Sequence, residues 1–240
     1  MIEKLREIIN NSDNIVFFGG AGVSTESNIP DFRSDTGLYT TADESKHSPE
    51  YMLSHTCFVR NTDDFYRYYK SKMIFPNAKP NKAHLALAEL EKLGKLKAVI
   101  TQNIDGLHQL AGSKNVLELH GSVHRNNCTK CHKFFPLEYI MESLSIPECD
   151  ECGGIVKPDV VLYEEGLDSD VLSRSIDYIR NADVLIVGGT SLTVYPAAGL
   201  IEYYGGNKLV LINKSQTQYD NKATLAFNHS IGELLYKVTR

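Results

Sequence analysis

Short, almost purely apolar runs punctuate the chain: IVFF at 15–18, AVIT at 98–101, DVVLY at 159–163, DVLIVG at 183–188 and KLVLIN at 208–213. Runs this short, without polar alternation, suit strands buried on both faces, as in a parallel sheet covered by helices. Helical patterns lie between several of them. Residues 81–93 follow Pro80, place Ala83, Leu87 and Leu90 on one stripe and stop at Gly94; residues 168–181 do the same with Leu172, Ile176 and Ile179. Residues 230–238 supply a last amphipathic segment, and the first ten space Ile2, Leu5, Ile8 and Ile9 at helical intervals. Strands alternating with helices imply an α/β fold with a doubly wound parallel sheet.

Two stretches do not fit that layer. Residues 39–78 are rich in Tyr, His, Ser and charge around an aromatic helical candidate at 63–75, and residues 122–156 carry paired cysteines and a short segment at 136–144. Both read as insertions forming a smaller lobe, helical in one part and metal-binding in the other. The large lobe is then 1–38, 79–121 and 157–240, and all 240 residues form one domain. A crevice between lobes is a favoured ligand site.

Cys128-x-x-Cys131 and Cys149-x-x-Cys152 are separated by a ribbon-like interval, and each pair can present two thiolates to one tetrahedral ion. Four sulfur ligands leave no open position, so the zinc is expected to be structural. A redox CxxC pair is the rival reading, and His124 and His132 flank the first knuckle, although four thiolates already complete a ligand set. Cys57 is left over and reads as a small buried or half-buried side chain.

At the end of the first run, Gly20-Ala21-Gly22 gives a tight turn where backbone can approach a pyrophosphate. A dehydrogenase would put a third glycine where Thr25 stands and continue into a helix. Instead the chain enters Asn28-Ile29-Pro30-Asp31-Phe32-Arg33, whose proline and polar residues suit a loop. The net charge of −5 and pI near 5.9 argue against a dedicated nucleic-acid partner. No run approaches the length of a membrane helix, and the N-terminus lacks a signal-type apolar core, so a cytoplasmic protein is expected.

Polar groups collect after the later strands: Gln102-Asn103-Ile104-Asp105-Gly106-Leu107-His108 after AVIT, and His120-Gly121 after 116–119. Open α/β sheets bind ligands at these carboxyl ends. With GAGVSTESNIPDFR, TQNIDGLH, LHG, the paired CxxC, KPDVVLYEE, GGTSLTVYPAA and LIN in this order, nearly the whole chain resembles the sirtuins, the NAD-dependent protein deacylases, in their compact bacterial or archaeal form.

The resemblance implies a Rossmann-like large lobe, a zinc-ribbon plus helical small lobe, NAD as co-substrate, one structural zinc and acyl-lysine proteins or peptides as partners. Sirtuins break the nicotinamide–ribose bond of NAD and pass the acyl group to the ribose, leaving free lysine, nicotinamide and O-acyl-ADP-ribose. By resemblance His120 is the general base, while Asn103 and Asp105 take the nicotinamide carboxamide with a backbone contact from Ile104. Gln102 holds the ribose, Ala21 and Thr25 the phosphate turn, and Phe32 and Arg33 belong to the loop that closes over NAD. Thr190 and Ser191 bind phosphate, Asn213 and Lys214 the adenosine ribose, and Ser230 and Ile231 the adenine. The peptide is expected to add as a strand between 160–165 and 193–195. Mono-ADP-ribosyl transfer to protein is the alternative activity, with a non-catalytic NAD sensor behind it; no feature demands more than a monomer.

Three departures matter. Asn28 stands where relatives have glycine, which Asn tolerates because it also visits positive φ. Glu164 replaces a glycine at the mouth of the peptide groove, so an added carboxylate there should favour basic residues beside the acyl-lysine. Members preferring anionic acyl groups carry Tyr-x-x-Arg, and here the matching positions are Tyr66 and Tyr69, with Arg67 turned about 100° away. Neutral acyl groups, acetyl first, are expected.

Overall fold

The computed structural model describes residues 1–32, 37 and 47–240. Six parallel strands form the main sheet: β1 (Ile15–Gly19), β2 (Leu96–Thr101), β3 (Val116–Glu118), β7 (Val184–Gly188), β8 (Leu209–Asn213) and β9 (Leu225–Asn228), in the order β3-β2-β1-β7-β8-β9. Every residue of β1 and β7 is buried, which is why their sequences need no polar alternation. The order reverses direction of winding at β1, and β1 pairs with both β2 and β7.

Side chains of β1 alternate between two cores. Ile15 and Phe17 join Leu5, Leu87, Leu90, Val99 and Leu234 on one face, whereas Val16 and Phe18 join Ile100, Ile179, Leu185 and Leu211 on the other. Phe17 and Phe18 are fully buried, so truncating either to alanine should cost about 3–5 kcal/mol.

The covering helices follow the sequence reading. In α5 (Lys82–Lys92) the Asn81 side chain accepts from the Ala83 N–H at 2.8 Å, and the chain ends at Gly94 with φ 74°. In α8 (Ser169–Asn181) Asp168 caps the N–H groups of Asp170 and Val171. The terminal helices α1 (Ile2–Asn10) and α9 (Ile231–Val238) bury the expected apolar stripes.

The second region is a three-stranded antiparallel sheet, β5-β4-β6, made by β4 (Gly121–Cys128), β5 (Phe134–Phe135) and β6 (Val156–Val160), together with α7 (Leu137–Glu142). Beside it lie the short helices α2 (Pro49–Met52) and α3 (His55–Arg60) and the aromatic α4 (Thr62–Lys72). They share one core containing Phe58, Phe65, Tyr66, Tyr69, Val123, Ile140 and Val156.

One expectation fails here. DVVLY does not enter the parallel sheet: β6 begins at Val156, ends at Val160 and pairs antiparallel with β4. Its burial alternates, with Asp159 exposed, as befits a strand with one wet face, and the apolar tail of the run continues as loop. The aromatic helix also stops at Lys72, three residues short of the expected end.

Candidate functional site: a cleft between two cores

A cleft of about 960 Å³ runs along the carboxyl ends of β1, β2, β7 and β8 and reaches into the core shared by α4 and the antiparallel sheet. The glycine turn forms one wall. A Cβ on Gly22 would meet Gly189 Cα and O at 2.8 Å, so two backbones approach here as only glycine permits, and the first turns after β1 and β7 share one corner. Asn28 has φ 62°, the left-handed conformation expected of it.

On the floor, Ser24 joins two of the expected catalytic residues. Its hydroxyl donates to Asp105 Oδ2 at 2.6 Å and accepts from Asn103 Nδ2 at 3.0 Å, while Asp105 Oδ1 accepts from the Leu107 N–H at 2.9 Å. Ser24 and Asn103 are both buried. The network fixes both side chains and leaves the Asn103 carbonyl oxygen outside it. Sequence reasoning passed over Ser24, which stands out only as a small hydroxyl two residues after a glycine turn.

His120 lies just after β3. Its Nδ1 sits 2.9 Å from the carbonyl oxygen of Gln102, so Nδ1 must donate and the neutral ring keeps Nε2 as an open acceptor. Burial pushes the imidazole below its ordinary pKa, with the Gln102 carbonyl opposing that shift. The ring is thus held neutral at pH 7, ready to take a proton at Nε2.

The other side of the cleft carries hydrogen-bonding groups suited to a phosphorylated ribose. Gln102 Nε2 donates to Thr190 Oγ1 at 3.1 Å, and the Thr190 N–H donates to Asn213 Oδ1 at 2.9 Å. Asn213 Nδ2 is buried with no partner, a donor that a bound ligand would satisfy. Ala21, Thr25, Phe32, Ile104, Ser191, Lys214 and Ile231 also line the cleft, whereas Ser230 does not, although its neighbour His229 does. Arg33 lies outside the described residues.

The four cysteines converge. Cys128 and Cys152 sulfurs are 3.4 Å apart, Cys131 and Cys149 are 3.6 Å apart, and all four lie within 4.8 Å of one another. Spacing of this kind suits one tetrahedral zinc, and the N–H groups of Lys130 and Cys131 point at the Cys128 sulfur, favouring thiolate there. Neither flanking histidine joins the cluster; His124 Nε2 instead bonds the Asp105 carbonyl at 3.1 Å. Cys57 is fully buried, as expected.

At the cleft rim, Glu164 adopts φ 77° where a glycine was expected, and its Oε2 accepts from the Thr56 N–H at 2.9 Å and hydroxyl at 2.7 Å. The rim is further tied to α3 by His55 N–H to the Tyr163 carbonyl and by His55 Nδ1 to Glu165. In α4, Arg67 pairs with Asp63 and Asp64 on the exposed face, away from the cleft.

The Sir2 family pattern matches residues 20–196, from the glycine turn past the cysteine cluster. The chain belongs to the Sir2 family. A Clostridium acetobutylicum protein named NAD-dependent protein deacetylase is 64% identical over 99% of this chain and 97% of its own length. Its Clostridium tetani namesake is 66% identical over 97% and 95%. Among solved structures, a Sir2 with deacetylated p53 peptide and 3'-O-acetyl ADP ribose superposes with a TM-score of 0.90 at 40% identity, covering 99% of this chain and 96% of that one. A Sir2 with p53 peptide and NAD+ gives 0.86 at 40%, covering 99% and 97%.

Proposed function

We propose that this Sir2-family chain removes acetyl and other neutral acyl groups from protein lysine side chains, consuming NAD and releasing nicotinamide and O-acetyl-ADP-ribose. The observation that carries the reading is His120, neutral with Nε2 open, in the same cleft as the Asn103–Ser24–Asp105 network. NAD, when bound, supplies a ribose carbon that gives up nicotinamide. Asn103, Asp105 and the Ile104 backbone hold the amide end of the cofactor and orient it. Gln102, Thr190, Ser191, Asn213 and Lys214 bind its ribose and phosphate groups, with Ala21 and Thr25 at the turn and Ile231 against the adenine. Phe32, on the cleft wall, covers the ribose face and helps exclude water from the reacting end. His120 Nε2 takes the hydroxyl proton whose removal makes the acceptor oxygen nucleophilic.

The peptide enters as an added strand between 160–165 and 193–195, and the zinc cluster holds the small-lobe wall that shapes its path. The division into a large lobe and a small lobe at 39–78 and 122–156 belongs to this reading, with β6 counted in the small lobe. Among the described residues no helix is long and apolar enough to cross a membrane. A cytoplasmic monomer without a nucleic-acid partner is part of the proposal.

The test is mass spectrometry of an acetyl-lysine peptide with NAD, using the wild type and His120→Ala. The wild type should release nicotinamide and O-acetyl-ADP-ribose together, and the variant should lose about 10²–10⁴-fold in deacetylation with its zinc retained. Nicotinamide release with the acetyl group left in place would instead point to ADP-ribosyl transfer, and a fully active variant would refute the role of His120.

A further inference from the structure

One carboxylate outside the catalytic network joins two walls of the cleft. Glu26 sits in the single 3₁₀ turn Thr25–Ser27, and its Oε1 accepts from the Gly232 N–H at 3.0 Å, across 206 positions of sequence. Gly232 is the second residue of α9, and Ile231 before it lines the cleft, as Glu26 does. A carboxylate on a free N–H of a helix's first turn is a charge-assisted bond, the stronger kind.

The surroundings are built for this contact. Gly232 is buried within a helix, where alanine would be the better former. A Cβ there would meet Glu26 Oε2 at 2.4 Å and Cδ at 3.0 Å, so the glycine makes room for the carboxylate. The turn that carries Glu26 is also held by Asn81, whose Nδ2 donates to the Val23 carbonyl at 2.8 Å and to Ser27 Oγ at 3.0 Å. The Ser27 N–H donates in turn to the Ser24 carbonyl at 2.9 Å. Ser24, whose hydroxyl serves Asn103 and Asp105, is therefore one hydrogen-bonded turn away from Glu26.

We propose that Glu26 is a positioning residue for NAD: it fixes the start of the loop that leads to Phe32 against the first turn of α9, and so keeps the adenine and nicotinamide ends of the cleft in register. The proposal rests on the deacylase reading above and deepens it by naming what sets the spacing between the two halves of the cofactor site. Glu26 acts through the turn and through α9, and on no bond that breaks.

The experiment measures KM for NAD and for an acetyl-lysine peptide in the wild type, Glu26→Ala, Glu26→Gln, Gly232→Ala and the double variant Glu26→Ala with Gly232→Ala, alongside Kd for NAD by calorimetry. Glu26→Ala should raise KM and Kd for NAD about fivefold to tenfold, as the loss of one charge-assisted bond predicts, with peptide KM and zinc content within about twofold. Gly232→Ala should match it, because the added methyl group displaces the carboxylate, and the double variant should be no worse than either single one. Glu26→Gln, whose amide oxygen can still accept the N–H, should recover most of the loss. A purely structural helix cap would lower the melting temperature without separating NAD from peptide. Unchanged NAD affinity in Glu26→Ala, a peptide KM that rises in step, losses that add in the double variant, or no recovery by glutamine would each overturn the proposal. Failure of the wild type to deacetylate would instead sink the deacylase reading, and the calorimetric Kd values would still decide the role of Glu26.

Discussion

The parallel sheet and the small antiparallel sheet reach their folds by opposite means. In the first, β1 and β7 are buried throughout and two apolar cores close over the faces, so hydrophobic burial alone accounts for the arrangement. In the second, β4 reads GSVHRNNC, β5 has two residues and a chain-distant cysteine pair must meet before the sheet can close. These short strands pack on the helices beside them in one core, and the four-cysteine site lies at their turns. What differs is therefore what is added to packing: the first region relies on its apolar cores, whereas the second joins an aromatic core to a four-cysteine metal site.

The largest effect expected from this contrast is metal loss. Cys128→Ser, or a strong chelator on the wild type, should release zinc, abolish deacetylation and remove the near-ultraviolet signal of the small-lobe tyrosines while most far-ultraviolet signal from the parallel sheet persists. Zinc analysis alongside both spectra decides it. Intact near-ultraviolet signal and activity in zinc-free protein would show that the small lobe is held by its aromatic core instead.

Acid should attack the other region through a different pair of groups. His84 and His108 pack edge to face at 4.7 Å beneath the parallel sheet, and both are buried. Burial pushes His84 down to about 4, against the pull of Asp105 and Glu26, and pushes His108 down to about 3, with His84 adding to that shift. Because both folded values lie below the ordinary 6.5, the neutral rings contribute full stability above about pH 6.5 and lose it progressively as the pH falls toward those values. By pH 4.5 the loss should be on the order of 2–3 kcal/mol for each. Urea midpoints of wild type and His108→Leu from pH 7.5 to 4.5 would show it as a shallower slope in the variant. Acid release of zinc is common to both proteins, so parallel slopes would refute the histidine explanation.

The same contrast sets what the sequence disclosed. Strands buried on both faces announce themselves, and Asn81, Gly94 and Asp168 marked the helix limits they form. The paired cysteines were equally plain because metal spacing is local. The polar β4 carried no strand signal, since cross-strand pairing with β6 defines it, and DVVLY misled because an apolar run does not say which sheet will receive it. Edge strand β9 was missed for a related reason: only Leu225 in it is buried. In the cleft, residues at strand ends stood out by position, whereas Ser24 gains meaning only from partners far along the chain.

Ser24 offers a way to sharpen the comparison within the large lobe. Ser24→Ala removes one hydroxyl that serves both Asn103 and Asp105, leaving a buried amide donor short of a partner. Losing such a bond costs about 1–3 kcal/mol, so kcat/KM for NAD should fall about 10–100-fold. Peptide KM and zinc content should hardly move. An equal fall in peptide affinity would mean that the network supports the whole cleft and not the cofactor end alone.

The smallest effect lies at the seam where the two regions meet. Glu164 holds a left-handed backbone that suits glycine, yet its carboxylate is bound by the Thr56 hydroxyl and N–H, which with nearby His55 and Arg60 depress its pKa and keep it ionised at pH 7. Glu164→Gly relieves the backbone and deletes those two bonds, opposing changes that should leave the melting temperature within about 2 °C. What the substitution removes cleanly is a charge at the groove mouth. Relative kcat/KM for peptides with basic over neutral residues beside the acetyl-lysine should therefore drop about twofold to threefold, and the difference between wild type and variant should vanish in about 0.5 M salt because exposed charges are screened within a few ångströms there. If the ratio stays the same in both proteins, Glu164 is spent on Thr56, and the seam is a structural staple between the lobes with no say in peptide choice.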